Sequence, residues 1–100
     1  MIIRIVKMSF KEDRVDEFRE NFMKHKDEIM NFEGCDLLDL LKVKNEENVY
    51  MTYSYWDDEE SLDNYRNSEL FKRVWTPTKE MFSQKPEAWT MERVLGIHKL

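Results

Sequence analysis

The sequence predicts an α+β fold in which helices cover one face of an antiparallel sheet. Three observations support this fold class and its arrangement as a single domain. Along the 100 residues the spacing of apolar side chains alternates between strand-like and helix-like. Only two Gly and two Pro occur, so no flexible linker divides the chain. The apolar runs are all far shorter than the roughly 20 residues of a membrane span. We therefore expect residues 1–100 to form a single domain.

The first strand and the first helix follow directly from this spacing. Residues 1–10 are rich in Ile and Val at alternate and at adjacent positions, which predicts a largely buried strand. From about Glu12 the apolar residues recur every three or four positions, which predicts a helix that ends near Phe32, ahead of Gly34. The apolar stripe of this helix contains Val15, Phe18, Phe22, His25 and Ile29.

Two further strands are predicted to form a hairpin. Residues 35–44 carry five Leu or Val side chains, and the polar stretch 45–48 forces a turn. Residues 49–56 then have the aromatic and β-branched composition of a strand.

The rest of the chain predicts two helical segments and a last strand. An acidic run at 57–60 suits a helix start and precedes a short helix over 61–67. Ser68 is placed to cap a second segment, which Pro77 kinks or ends. Residues 88–99 are predicted to form the final strand. The order β-α-β-β-α-β is that of the ferredoxin-like fold.

Both faces of the predicted sheet are apolar, which favours a homodimer. Ile3 and Ile5 lie on one side of the first strand, while Val6 and Met8 lie on the other. Helices on one face only would leave large apolar side chains in water, and soluble monomers rarely expose such a patch. We therefore expect two copies to pack sheet against sheet.

Composition excludes several classes of function. The formal net charge of −5, with no Lys/Arg cluster, disfavours a nucleic-acid surface. A single Cys and two His residues cannot build a Cys/His metal site or an internal disulfide. We expect no cofactor and no membrane partner. The N-terminal residues lack the pattern of a signal peptide, so a cytoplasmic location is expected.

Two stretches carry a family resemblance. Residues 53–62, which read YSYWDDEESL, end a strand in an aromatic-Trp pair and start a helix with acids, and residues 68–72 read SELFK. Together with the turn at 33–36, they resemble the antibiotic biosynthesis monooxygenase family of the dimeric α/β-barrel superfamily. The resemblance implies a sheet-to-sheet dimer with a ligand cavity between the sheet and the helices of each subunit. It also implies oxidation of phenolic or quinol-like molecules by O₂ without a cofactor.

One branch of that family degrades haem, and its polar residues are missing here. The resemblance places the Asn, Trp and proximal His of that branch on Lys7, Tyr65 and Trp75. An indole offers iron no lone pair, so Trp75 cannot replace the His. The quinone-forming branch carries an Asn and a Tyr where this chain has Thr52 and Leu62.

Other residues must then supply the chemistry, which needs a base or an oriented donor inside an apolar pocket. His25 and Tyr65 are the candidate catalytic residues, since either could ionise or orient a substrate. Trp75, Phe71 and Tyr53 are the candidate substrate-binding residues. The first hypothesis is a cofactor-independent monooxygenase acting on a small planar hydrophobic molecule. The alternative is a non-catalytic ligand-binding or stress-related dimer, and haem degradation is a disfavoured third interpretation.

Overall fold

The computed structural model describes residues 1–99 and is an α+β protein with four strands and three α-helices. A 3₁₀ turn over Glu12–Arg14 precedes the first α-helix. The remaining elements are β1 (Ile2–Ser9), α1 (Val15–Met30), β2 (Cys35–Lys42), β3 (Val49–Trp56), α2 (Glu59–Arg66), α3 (Glu69–Lys79) and β4 (Glu87–Glu92). None of the helices among these residues is long and apolar enough to cross a bilayer.

The four strands form one antiparallel sheet in the order β2-β3-β1-β4. This is the strand order of the ferredoxin-like fold, and it confirms the predicted fold class. β1 is central, with Ile5 opposite Tyr53 on β3 and opposite Trp89 on β4. A bulge between Cys35 and Leu37 shifts the register at the start of β2.

All three helices lie on one face of the sheet. The apolar stripe predicted for α1 is correct, because Phe18 and Phe22 are buried in a cluster with Met8, Phe10 and Tyr50 from the sheet. At the other end of the sheet, α2 packs through Leu62 against Ile2 and Trp56.

The opposite face of the sheet is also apolar, and none of the helices within residues 1–99 covers it. The alternation of side chains along the registered strands places nine large side chains there. They are Ile3, Ile5, Leu37, Leu41, Met51, Tyr53, Tyr55, Trp89 and Met91. We call this set the outer face.

Side-chain caps start both α2 and α3, and Ser68 is the cap that the sequence predicts. Asp58 accepts a hydrogen bond of 2.8 Å from the Ser61 backbone N–H, and Ser68 Oγ accepts one of 3.1 Å from the Phe71 N–H. α2 begins at Glu59, two residues before the predicted start, because Asp58 is the capping residue.

Of the two outcomes predicted for Pro77, a kink or the end of the helix, the structure excludes the second. The helix continues through Pro77 to Lys79. Pro77 lies in the last turn, where its missing N–H costs a single helical hydrogen bond. The Val74 carbonyl accepts hydrogen bonds from the side chains of Thr78, at 2.7 Å, and Asn21, at 3.3 Å. The bond from Asn21 links the C-terminal part of α3 to α1.

The final strand is shorter than predicted. β4 ends at Glu92, and residues 93–99 form no strand, while residue 100 lies outside the described residues. The alternating apolar residues at 94–97 suggested a strand, yet Val94 is 98% exposed and Ile97 is 82% exposed. They have no neighbouring strand within this chain, so the strand pattern has nothing to pair with.

Candidate ligand site

A cavity of about 300 Å³ lies between the sheet and the helices. Val6, Met8, Thr52, Ser54 and Trp56 line it from the sheet. Tyr65, Phe71, Val74 and Trp75 line it from α2 and α3. Its volume is at the lower end of the range for small-molecule sites, which suits a ligand of two or three fused rings.

One wall of the cavity is a continuous row of aromatic rings. Trp56 stacks on Tyr65 with ring centroids 5.0 Å apart, and Tyr65 meets Phe71 edge to face at 5.2 Å. Phe71 stacks in turn on Trp75 at 5.8 Å. Aromatic faces of this kind attract flat ligands through dispersion and offset stacking. The wall therefore favours a planar molecule.

Tyr65 brings a hydroxyl group to this wall. Burial raises the pKa of Tyr65 far above its usual range, and the nearby Cys35 thiol adds a smaller effect in the same direction. The phenol is therefore neutral at physiological pH. Among the described residues no hydrogen bond occupies its hydroxyl, so Tyr65 can donate to a ligand oxygen but does not act as a base.

The sheet side of the cavity contributes further polar groups. Trp56 Nε1–H donates to Ser54 Oγ over 3.0 Å, which fixes the buried indole against the sheet. Thr52 and Arg4 also face the cavity from β3 and β1. Arg4 Nη1 donates to Thr90 Oγ1 over 2.7 Å.

The structure brings together three of the five residues predicted for the site. Tyr65, Phe71 and Trp75 line one cavity, although their sequence positions span two helices. His25 and Tyr53 do not line it.

His25 is buried on α1, 7% exposed, with Nδ1–H donating to the Asn21 carbonyl at 2.9 Å. That bond runs back one turn along its own helix, and the ring is not part of the cavity wall. Tyr53 lies on the outer face, where its hydroxyl is 3.2 Å from the hydroxyl of Tyr55. Neither His25 nor Tyr53 lines the cavity, so neither is placed to contact a ligand bound there.

On the sheet side of the cavity, the sequence interpretation missed three polar residues. Arg4, Thr52 and Ser54 all face the helices from the central strands. Their positions alternate with the outer-face residues of the same strands, so the period of two offered a signal for their orientation. What the sequence does not show is that the helices leave a cavity above them.

Cys35 is buried near the start of β2, and its Sγ lies 3.8 Å from the Leu37 carbonyl oxygen. Burial raises the pKa of this thiol, which keeps it protonated. Within residues 1–99, no group of three or more His, Cys, Asp or Glu side chains is placed to hold a metal ion.

The model of the antibiotic biosynthesis monooxygenase family matches residues 1–75. The chain belongs to this family, which confirms the resemblance in its sequence. The match extends from β1 into α3 and includes the whole aromatic wall. None of the curated proteins is similar enough in sequence to match the chain.

Solved structures share the fold over nearly the whole chain. A conserved protein from Methanosarcina mazei is 24% identical, with a TM-score of 0.87 and 93% of each chain covered. A solved antibiotic biosynthesis monooxygenase is 18% identical, with a TM-score of 0.89 and 95% of this chain and 100% of that chain covered. Rv0793 from Mycobacterium tuberculosis is 12% identical, with a TM-score of 0.88 and with 97% of this chain and 98% of that chain covered. At these identities the likeness establishes the fold.

Proposed function

We propose that this protein is a cofactor-independent monooxygenase that oxidises a small planar phenol or quinol in the cavity between its sheet and helices. The observation that carries the proposal is the row of four aromatic rings along an open cavity of about 300 Å³. Family membership supports the reaction class.

The chemistry fits a site of this kind. In the proposed reaction, a phenol and O₂ give a quinone and water. One ring C–H becomes C=O, the phenol loses its proton, and the second oxygen atom leaves as water. The substrate supplies all four electrons, so the balance needs no further reductant.

The residues of this chain would orient and stabilise the substrate. Tyr65 donates a hydrogen bond to a substrate oxygen, where negative charge develops as the phenol ionises. The rings of Phe71 and Trp75 hold the substrate plane. No His among the described residues lines the cavity, so in this proposal the substrate proton passes to water.

A second function, binding without catalysis, is favoured by one specific observation. Tyr65 is neutral and no other general base lines the cavity, so the site lacks a group to take the substrate proton. A non-catalytic dimer would use the same aromatic wall to hold a planar ligand. We do not extend either proposal to haem, because Trp75 offers no iron ligand.

We also propose a homodimer formed through the outer face. Leu41 is 47% exposed there, and Trp89 and Met91 are exposed as well. Val94, Leu95 and Ile97, which follow β4 in the chain, are exposed as well. A second copy of the chain offers the same apolar surface in return, as a two-fold interface requires. The cytoplasmic location stays a prediction.

Oxygen uptake distinguishes the two functions. An oxygen electrode would follow wild-type protein and Tyr65→Phe with a panel of naphthols, naphthoquinols and anthrones. With wild-type protein, we expect at least one compound of the panel to consume oxygen faster than in the protein-free control. This excess rate should fall at least tenfold in Tyr65→Phe. A control variant, Met23→Ala, changes an exposed side chain on α1 and should match wild type. If none of the panel is oxidised but some members bind, the non-catalytic function is the correct one.

A further inference from the structure

The charged side chains around the cavity are all of one sign. Arg4 from β1, Arg66 from the end of α2 and Lys79 from the end of α3 line it, and no Asp or Glu among the described residues does so. The whole chain has a formal net charge of −5, so this local excess of positive charge runs against the overall balance. The cavity therefore differs from the remaining surface in the ligand it attracts.

Of the three cations, Arg4 gives the strongest indication of an anionic ligand. It is half-buried, its described hydrogen bond goes to the neutral Thr90 hydroxyl, and it forms no ion pair within residues 1–99. Burial lowers the pKa of Arg4, and the positive charge of Arg66 lowers it further. Two guanidinium groups near each other without an acidic partner are a costly arrangement, which an anion between them would relieve.

The acidic residue that strand register places on the same face as Arg4 is not its partner. Glu92 lies opposite Ile2 at the end of β4, on the same face as Arg4. It does not line the cavity and makes no ion pair with Arg4. The positive charge of the cavity is therefore available to a ligand.

We propose that the cavity binds a planar aromatic anion, with its negatively charged oxygens held by Arg4 and Arg66 and its rings against Phe71 and Trp75. This inference rests on the proposal that the cavity is the ligand site, and it adds the substrate class. A guanidinium group binds a carboxylate or a similar two-oxygen anion through paired N–H donors. A neutral aromatic of the same size would fill the cavity but leave both cations uncompensated.

The charge also serves the oxidation. A cation beside the substrate oxygens favours the ionised form of a phenol, because an opposite charge lowers an acidic pKa. A hydroxyaryl carboxylate would place both a permanent charge and an ionisable hydroxyl next to Arg4. The cation therefore makes ionisation of the phenol easier, while the proton itself still passes to water.

The test uses two probes of nearly equal size and shape, the anion 1-hydroxy-2-naphthoate and the neutral 1-hydroxy-2-naphthamide. Fluorescence titration at pH 7 would give the affinity of each for wild type, Arg4→Gln, Arg66→Gln and the control Arg19→Gln, which changes an exposed Arg on α1. We expect the carboxylate to bind wild type at least tenfold more tightly than the amide. This ratio should fall at least fivefold in Arg4→Gln and about threefold in Arg66→Gln, and it should be unchanged in Arg19→Gln.

Each outcome decides a different point. An amide that binds wild type as tightly as the carboxylate overturns the anionic substrate class but leaves the ligand site standing. The anionic substrate class also fails, and the ligand site again stands, if the ratio of carboxylate to amide affinity is unchanged in both Arg4→Gln and Arg66→Gln. If neither probe binds wild type, the ligand site itself fails. Arg66 is exposed at a helix end, so Arg66→Gln reports on charge even if Arg4→Gln does not fold.

Discussion

Trp56 and Tyr65 stack with ring centroids 5.0 Å apart and planes inclined at 23°. Trp56 ends β3 and is 1% exposed, whereas Tyr65 is the penultimate residue of α2. This pair joins the buried core to the aromatic wall of the cavity. Core packing thus holds the wall in place whether or not a ligand is present.

Truncation of Trp56 and of Trp75 should destabilise the protein to different extents. Trp75→Ala should cost about 1–2 kcal/mol, because Trp75 is half-buried and its loss enlarges an existing cavity. Trp56→Ala should cost about 3–5 kcal/mol, because Trp56 is 1% exposed and its loss also removes its packing against the buried Ile2, Cys35 and Leu62. Urea unfolding of both variants and wild type measures the difference. Equal losses for the two variants would mean that Trp75 is ordinary core.

The buried phenol of Tyr65 predicts a loss of stability at high pH. Its pKa is raised in the folded state from 10.0, so its contribution to stability is complete below that value and falls as the pH rises above it. Urea unfolding between pH 8 and pH 11 should therefore show a steeper decline for wild type than for Tyr65→Phe. Parallel curves would show that the hydroxyl titrates as freely in the folded protein as in the unfolded chain.

Gly34 permits the close approach of α2 to the turn before β2. Its φ is +90°, and a Cβ at this position would overlap the Ser61 side chain. We expect Gly34→Ala to cost about 2–4 kcal/mol, since both the backbone strain and the overlap act against it. Thermal unfolding should show the loss, and Ser61→Gly combined with Gly34→Ala should recover part of it. A neutral Gly34→Ala would mean that α2 moves away without cost.

The outer face predicts a dimer that a single charge would weaken. Light scattering at micromolar concentration should give twice 12.3 kDa for wild type. Trp89→Glu should shift the mass toward the monomer, because it places a charge within an apolar interface of roughly 2,000 Å². Met23→Glu makes the same change on an exposed position of α1 and should remain dimeric. A wild-type mass of 12.3 kDa would contradict the dimer.

Much of the fold could be predicted from local patterns in the sequence. Val49–Trp56 matches the predicted third strand, because aromatic and β-branched side chains are bounded by a polar turn and an acidic helix start. That α3 continues past Pro77 was not evident from the sequence, because Asn21 donates to the Val74 carbonyl from 53 residues away in the chain. The last strand was overextended because residues 93–99 have no partner strand within the chain.

The site was predicted less completely, for a different reason. Tyr65, Phe71 and Trp75 stood out as large aromatic residues on one helical region, and the structure places them together. His25 stood out for its chemistry, but its distance from a cavity depends on how α1 sits over the sheet. Arg4 did not stand out, because an arginine near the N-terminus of a strand is ordinary until the helices above it are known.

The most direct test of the proposed activity is the fate of the oxygen atoms. Wild-type protein would be incubated with 1-naphthol under ¹⁸O₂, and the quinone product analysed by mass spectrometry against a protein-free control. The proposed reaction predicts one ¹⁸O in each quinone, with formation at least tenfold slower in Tyr65→Phe. A quinone without ¹⁸O, or the same rate without protein, would contradict a monooxygenase.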